Sequence, residues 1–153
     1  MAKNLSVVIL AAGKGTRMYS ALPKVLHKLA DRSLLEHVYA TVQELEHRDV
    51  YVVYGYGGDI VRDRCKDLFV NWTEQKEQLG TGHAVAQAIS DIPEEDDVLI
   101  LYGDVPLTSD ETLSNLVNAG RQSGFGLLTV NMDNPTGYGR IIRNNNSKVI
   151  KIV

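Results

Sequence analysis

Cysteine is almost absent from this chain: Cys65 is the only one among 153 residues, so no internal disulfide can form. Secreted domains of this size commonly rely on disulfides, and their lack favours a reducing, cytoplasmic compartment. Neither a CxxC pair nor a Gly-Cys elbow surrounds Cys65, which favours a structural thiol over a reactive one. Long apolar runs are also missing. The run at residues 7–12 is far shorter than the roughly 20 residues that cross a bilayer, so we expect no membrane partner.

Positive charge is scarce overall, because 16 Lys and Arg face 19 Asp and Glu and the net charge is −3. Proteins that bind nucleic acid through its phosphates need a basic surface, so this balance argues against a nucleic-acid partner. Residues 1–30 nevertheless carry five cations and no acid: Lys3, Lys14, Arg17, Lys24 and Lys28. That local excess predicts an anion site, with chance scatter of charge as the alternative. The 44% of hydrophobic residues is typical of one globular domain.

Short apolar runs alternate with amphipathic segments along the chain. Strands are predicted at residues 6–11, 50–54, 69–72, 98–102 and 126–132. Helices are predicted at residues 33–47, 57–67, 82–90 and 108–122, two of them opened by the capping-box pairs Ser33–Glu36 and Thr108–Glu111. Residues 139–143 and 148–153 are typical of a hairpin. The alternation predicts an α/β domain whose mostly parallel sheet is flanked by helices.

The sequence GKGTRM at residues 13–18 follows the first predicted strand directly. Its two glycines permit close approach of the backbone to a ligand, and successive amides can then bind an anion. Lys14 and Arg17 add positive charge, and Pro23 limits how Lys24 is presented. The spacing is not that of a Walker A loop, and Met18 stands where the dinucleotide fingerprint has its third glycine. This loop therefore predicts phosphate binding, with a purely structural turn as the alternative.

The segment Tyr102-Gly103-Asp104 ends the fourth predicted strand. In open α/β sheets, ligands bind at the carboxyl ends of the strands, so Asp104 shares an edge with the glycine loop. Mg²⁺ on a phosphate needs one or two carboxylates plus water, and Asp104 is the candidate. A turn or helix cap is the alternative role for Asp104.

Two further loops are candidates for substrate contact. Gln75 and Gln78 offer paired donors and acceptors that suit a pyrimidine edge, and Thr81 is placed to cap the next helix. A plain connector explains this loop equally well, and His83 within it is interpreted as structural. Gly139 belongs to a glycine-rich stretch at residues 134–140 that a hairpin turn also explains. The four histidines lack the spacing of metal ligands.

Taken together, these blocks resemble the sugar-nucleotide pyrophosphorylases. They are LAAGKGTRM at 10–18, Pro23-Lys24, EQLGTGHA at 77–84, LYGDVPL at 101–107 and PTGYGR at 135–140. More narrowly, they resemble the amino-terminal domains of the bacterial bifunctional N-acetylglucosamine-1-phosphate uridyltransferases/glucosamine-1-phosphate acetyltransferases. The resemblance covers the whole chain in order. It implies a Rossmann-like nucleotide-diphospho-sugar transferase fold.

The resemblance also implies a reaction: UTP and N-acetylglucosamine 1-phosphate give UDP-N-acetylglucosamine and pyrophosphate, with Mg²⁺, for peptidoglycan and lipopolysaccharide precursors. Arg17 and Lys24 would be the catalytic residues, Asp104 would bind the metal, and Gly139 would contact the amino sugar. The substrate-binding residues that it implies are Leu10, Ala11, Ala12, Gly13, Lys24, Gln75, Gln78, Gly80, Thr81, Tyr102, Gly103, Asp104 and Gly139.

In that family a second metal ligand, further sugar contacts and the trimer-forming acetyltransferase β-helix lie beyond position 153. Residues 1–153 are therefore expected to be the nucleotide-binding part of a uridyltransferase domain from a homotrimeric, multifunctional enzyme, with weak or no turnover alone.

Other readings of the residues stay open. A cytidylyl- or guanylyltransferase for another sugar would share the glycine loop and Asp104, but not Gln75 together with the Gly80-Thr81 loop. A nucleotide-binding module that lacks turnover is a second alternative. A Rossmann dehydrogenase is disfavoured, because Met18 breaks its fingerprint and Tyr54-Gly55 replaces the acid that ends its second strand.

Overall fold

The computed structural model of the protein describes residues 3–15 and 18–153. Its strands are β1 (Leu5–Ala11), β2 (Lys28–Leu29), β3 (Arg32–Ser33), β4 (Asp49–Tyr54), β5 (Asn71–Glu74), β6 (Asp97–Tyr102), β7 (Ile141–Arg143) and β8 (Val149–Ile152). Its α-helices are α1 (Leu34–Gln43), α2 (Gly58–Arg64), α3 (Thr81–Ile89) and α4 (Asp110–Ser123), and a 3-10 helix spans Lys24–Leu26. None of the helices within the described ranges is long and apolar enough to span a membrane.

Four parallel strands form the central sheet in the order β5-β4-β1-β6, which confirms the predicted α/β class. All seven residues of β1 are buried, because β1 is bonded on both sides and covered on both faces. Val7 and Ile9 pack in one cluster with Leu35 of α1, whereas Val8 packs in a second cluster with Ala84 of α3. This two-sided burial explains why residues 7–11 of the strand are all apolar, while the buried Ser6 hydroxyl donates to Asp96 Oδ2 at 2.8 Å.

The order of the strands creates a switch point beside β1. The chain adds β4 and β5 on one side of β1 and then crosses to place β6 on the other side. The connection after β1 leads to the β4 side, away from β6, and the crevice between β1 and β6 is where open α/β sheets bind ligands. The loops at residues 12–15 and 103–109 both begin at this crevice.

The helix predictions are confirmed, with corrected ends. Ser33 Oγ accepts from the Glu36 amide at 3.2 Å and Glu36 Oε2 accepts from the Ser33 amide at 2.7 Å, so the capping box of α1 is complete. These hydrogen bonds lower the pKa of Glu36. The predicted pair at Thr108 is wrong: Ser109 caps α4 and accepts from the Thr112 amide at 3.2 Å, because Ser109 has the extended backbone that a cap requires.

Two strand predictions need correction. The third strand lies at Asn71–Glu74, two residues later than predicted, because its pairing with β4 begins at Tyr51–Asn71 and leaves Phe69 exposed. The predicted strand at 126–132 is wrong, since this segment is outside every sheet in the described chain. A segment with strand propensity becomes a strand only where a neighbouring strand pairs with it. Here a cleft of about 750 Å³ lies between residues 125–128 and the exposed edge of β6, so the two do not pair. The predicted hairpin is confirmed as β7–β8.

The single thiol offers a chemical test of this packing. Cys65 is buried beside α2, and burial raises the pKa of its thiol to about 11. The folded chain therefore disfavours the thiolate, so this group favours folding below about pH 9 and loses that contribution as the pH rises towards 11. At pH 8 we expect native Cys65 to react with a disulfide reagent about a hundredfold more slowly than the urea-unfolded chain does. Equal labelling rates in the two states would contradict the buried position.

Candidate active site

An ion pair lies at the crevice between β1 and β6. Lys24 Nζ donates to Asp104 Oδ2 at 2.5 Å, although 80 residues separate the two in sequence. Lys24 belongs to the 3-10 helix that follows Pro23, and Asp104 follows the end of β6. The two side chains are 38% and 26% exposed, so the pair contributes little to stability and stays accessible to a ligand. A fixed cation and a carboxylate are thereby presented side by side.

The glycine loop packs directly against Lys24. Gly15 has a φ of +58°, and a Cβ at Gly15 would lie 2.8 Å from Lys24 Cβ. A Cβ at Gly13 would meet no atom of the described residues within 4 Å, and Gly13 and Lys14 are exposed. Glycine is needed at position 15 for the fold, whereas the surroundings of Gly13 are open. The predicted phosphate-binding Arg17 lies outside the described residues.

Backbone contacts bring the end of β6 against the end of β1. The Gly103 amide donates to the Leu10 carbonyl at 2.9 Å. A Cβ at Gly103 would lie 3.1 Å from that carbonyl oxygen, so glycine lets the two strands' ends approach. This contact fixes where Asp104 leaves the sheet. The neighbouring Tyr102 ring is half-exposed on the open edge of β6.

Gly55, at the end of β4, is the meeting point of the loops after β1 and β5. A Cβ there would lie 3.0 Å from Ala12 Cβ, 3.0 Å from Gln78 Nε2 and 3.1 Å from the Gln75 carbonyl. From the sequence alone, residues 55–58 are typical of a turn after a strand, with a minor substrate contact as the further role. The signal available was its position, since a glycine directly after a buried strand marks close approach by another backbone. Ala12, Gln75 and Gln78 thus belong to one continuous surface.

The loop at residues 75–80 is held by the Gln75 side chain. Gln75 is 3% exposed, and its Nε2 lies 3.2 Å from the Gly80 carbonyl and 3.0 Å from His83 Nδ1. Gln78 Nε2 donates in turn to the Gln75 carbonyl at 3.1 Å. The predicted cap at Thr81 is wrong: Gly80 is the N-cap of α3, with a φ of +106°, and Thr81 is the first helical residue. Position 80 favours glycine because of this backbone angle.

Gly139, the predicted sugar contact, does not adjoin a strand of the central sheet. It precedes the β7–β8 hairpin, which forms its own two-stranded sheet. A Cβ at Gly139 would lie 2.9 Å from Ile152. The structure therefore brings the three predicted loops of the first 104 residues together, while the role of Gly139 stays a prediction.

Asp104 is the carboxylate available for a divalent cation at this edge. Within residues 3–15 and 18–153, no group of three or more His, Cys, Asp or Glu could hold a metal. A site built from protein ligands alone does not fit this donor set. Mg²⁺ in phosphate-binding sites keeps several waters and uses one or two carboxylates together with the phosphate oxygens. Asp104 fits that kind of site.

Comparison with known proteins identifies the family. Residues 7–143 match the MobA-like NTP transferase domain, a stretch that includes both partners of the ion pair. The chain belongs to that family. The name of the family denotes NTP transfer, and this agrees with a cation, a carboxylate and a glycine loop at the switch point.

Solved structures share the fold of this MobA-like domain. HddC from Yersinia pseudotuberculosis, complexed with GMP-PN, has a TM-score of 0.78 at 24% identity over 97% of this chain and 68% of its own. A nucleotidyl transferase from Methanothermobacter thermautotroptrophicus has a TM-score of 0.70 at 21% identity, over 76% of this chain and 58% of its own. A Mycobacterium tuberculosis protein in complex with manganese has a TM-score of 0.66 at 17% identity, over 78% of this chain and 61% of its own. The chain thus spans about six tenths of the length of the latter two structures.

Proposed function

We propose that this chain is the nucleotide-binding part of an enzyme that makes UDP-N-acetylglucosamine and pyrophosphate from UTP and N-acetylglucosamine 1-phosphate. One observation carries the nucleotidyl-transfer part of the proposal. Lys24 Nζ lies 2.5 Å from Asp104 Oδ2 at the switch point, and Lys24 packs against Gly15 of the glycine loop. The choice of UTP and of the amino sugar rests on the resemblance of the QLGTGHA and YGDVPL blocks to the uridyltransferases.

The proposed reaction needs no protein nucleophile. A phosphate oxygen of the sugar 1-phosphate attacks the α-phosphorus of UTP in line, and pyrophosphate leaves. The chain contributes by positioning the triphosphate and by neutralising its charge. Lys24 and Arg17 supply the positive charge, the backbone of residues 12–15 follows the phosphates, and residues 75–81 face the base.

A divalent cation, when bound, would supply further neutralisation of the phosphate charge, with Asp104 as its protein ligand. The complex of the Mycobacterium tuberculosis protein with manganese is consistent with this proposal. Lys24 is the present partner of Asp104. When a metal–nucleotide is bound, Asp104 would hold the metal and Lys24 would be free to pair with a phosphate in place of Asp104.

A guanine nucleotide is the second candidate substrate, because HddC carries GMP-PN and matches 97% of this chain. Competition among UTP, CTP, GTP and dTTP in the presence of Mg²⁺ separates the two candidates. We expect UTP to bind more tightly than each of the other three, with the affinity increased by Mg²⁺. Tighter binding of GTP than of UTP would replace the uridyl proposal by the guanylyl one. If all four nucleotides bound equally and Mg²⁺ did not change their affinity, both proposals would be contradicted.

We also propose that residues 1–153 form only part of the active enzyme. The resemblance assigns a second metal ligand and further sugar contacts to positions beyond 153. A steady-state assay of this chain with UTP, N-acetylglucosamine 1-phosphate and Mg²⁺ should therefore show weak or no turnover. Turnover at the rate of a complete uridyltransferase would contradict the proposal that residues beyond 153 are needed for activity.

A further inference from the structure

Both ring nitrogens of His83 lie beside the side-chain amide nitrogen of a glutamine. It lies in the first turn of α3 and is half-buried, with Nδ1 3.0 Å from Gln75 Nε2 and Nε2 3.2 Å from Gln87 Nε2. Gln75 is buried and also contacts the Gly80 carbonyl. The ring is therefore linked through Gln75 to the loop at residues 75–80.

The contacts of Gln75 determine which nitrogen of His83 carries the proton. The Gly80 carbonyl only accepts, so the Gln75 atom beside it is the amide nitrogen, which has two protons to donate. One proton goes to Gly80, and the other points to His83 Nδ1. A neutral imidazole has one acceptor and one donor, so Nδ1 is the acceptor and Nε2 carries the hydrogen. Gln87 Nε2 donates to the His83 backbone carbonyl at 3.2 Å, so the amide nitrogen of Gln87, and not its oxygen, lies beside His83 Nε2.

We infer that His83 is a positioning residue that sets the shape of the 75–80 loop through Gln75. Gly80 has a φ of +106° and begins α3, and its carbonyl takes its side-chain bond from Gln75. Without an acceptor at Nδ1, the Gln75 amide loses one of its two partners and is free to rotate away from Gly80. Gly80 and the first amides of α3 then lose their fixed position. The functional consequence rests on the proposed function, in which this loop faces the base.

Two substitutions of similar chemistry separate the two ring nitrogens. His83→Asn keeps an amide oxygen close to the position of Nδ1, whereas His83→Gln extends its polar atoms towards the position of Nε2. In binding measurements with UTP and Mg²⁺, we expect His83→Asn to stay within about threefold of the wild-type Kd. His83→Gln should weaken binding about three- to tenfold, the usual consequence of losing one neutral hydrogen bond. His37→Gln, on the exposed face of α1, is the control and should leave the Kd unchanged.

An NMR readout tests the inference without any nucleotide. Long-range proton–nitrogen correlations of the wild-type ring should show a protonated Nε2 and a bare Nδ1. The Gln75 amide protons should exchange slowly in the wild type and in His83→Asn, and faster in His83→Gln. A protonated Nδ1, or equal Gln75 exchange in the three proteins, would overturn the positioning role. Correct NMR signatures in a chain that binds none of the four nucleotides would overturn the proposed function instead.

Discussion

Asp104→Asn is expected to weaken UTP binding only when the metal is present. In Mg²⁺ the variant should bind UTP at least about tenfold more weakly, because a charge-assisted contact is lost. In EDTA it should bind UTP as well as the wild type or better, because the carboxylate that repels the triphosphate and occupies Lys24 is gone. Titration calorimetry under both conditions measures the difference.

Lys24→Met is the complementary variant. It keeps the length of the side chain and removes the charge, so it should weaken UTP binding by about tenfold or more in both conditions. Lys28→Met is the matched control, since Lys28 is an exposed lysine of the adjacent β2 strand. The ion pair is partly exposed and contributes little to folding, so the melting temperatures of both variants should stay within a few degrees of the wild-type value.

A loss of affinity for Asp104→Asn that is equal in Mg²⁺ and EDTA would exclude Asp104 as a metal ligand.

Alanine at Gly15 and alanine at Gly13 should have different effects on folding. At Gly15 the new Cβ would lie 2.8 Å from Lys24 Cβ, on a backbone with a φ of +58°. We expect Gly15→Ala to destabilise the fold by about 1–3 kcal/mol and to weaken nucleotide binding at the same time, because the loop must move away from Lys24.

Gly13→Ala meets open space among the described residues and should fold with unchanged stability. It should nevertheless weaken UTP binding, because the proposed phosphates come close to this part of the backbone. Urea unfolding and nucleotide titration of the two variants provide the test. If Gly13→Ala binds UTP as tightly as the wild type does, the phosphates do not follow the loop in the proposed way.

The sequence predicted the elements whose causes are local or strongly periodic. β1 was predicted because it is buried on both faces and is therefore apolar at every position except Ser6. α1 was predicted from Ser33, one residue before its observed first residue, because its capping box involves residues only three apart. The errors at 126–132 and at β5 have another cause. Whether an extended segment becomes a strand, and at which residue it starts, depends on ladder partners far away in the chain.

The sequence predicted which edge of the sheet carries the candidate site, but not which of its side chains contact one another. The carboxyl-end rule placed the glycine loop and Asp104 together without coordinates. The direct pairing of Lys24 with Asp104, across 80 residues, required the fold. The roles of Gly55 and His83 were also missed, because each depends on which loop packs against it rather than on its neighbours in sequence.

The position of Mn²⁺ in crystals grown with UTP tests the central claim most directly, since anomalous scattering locates this metal. The account predicts one Mn²⁺ within about 2.5 Å of a carboxylate oxygen of Asp104, bound to the triphosphate, with Lys24 Nζ turned from Asp104 to a phosphate oxygen. A metal–nucleotide found away from the crevice between β1 and β6, with the Lys24–Asp104 pair intact, would contradict it.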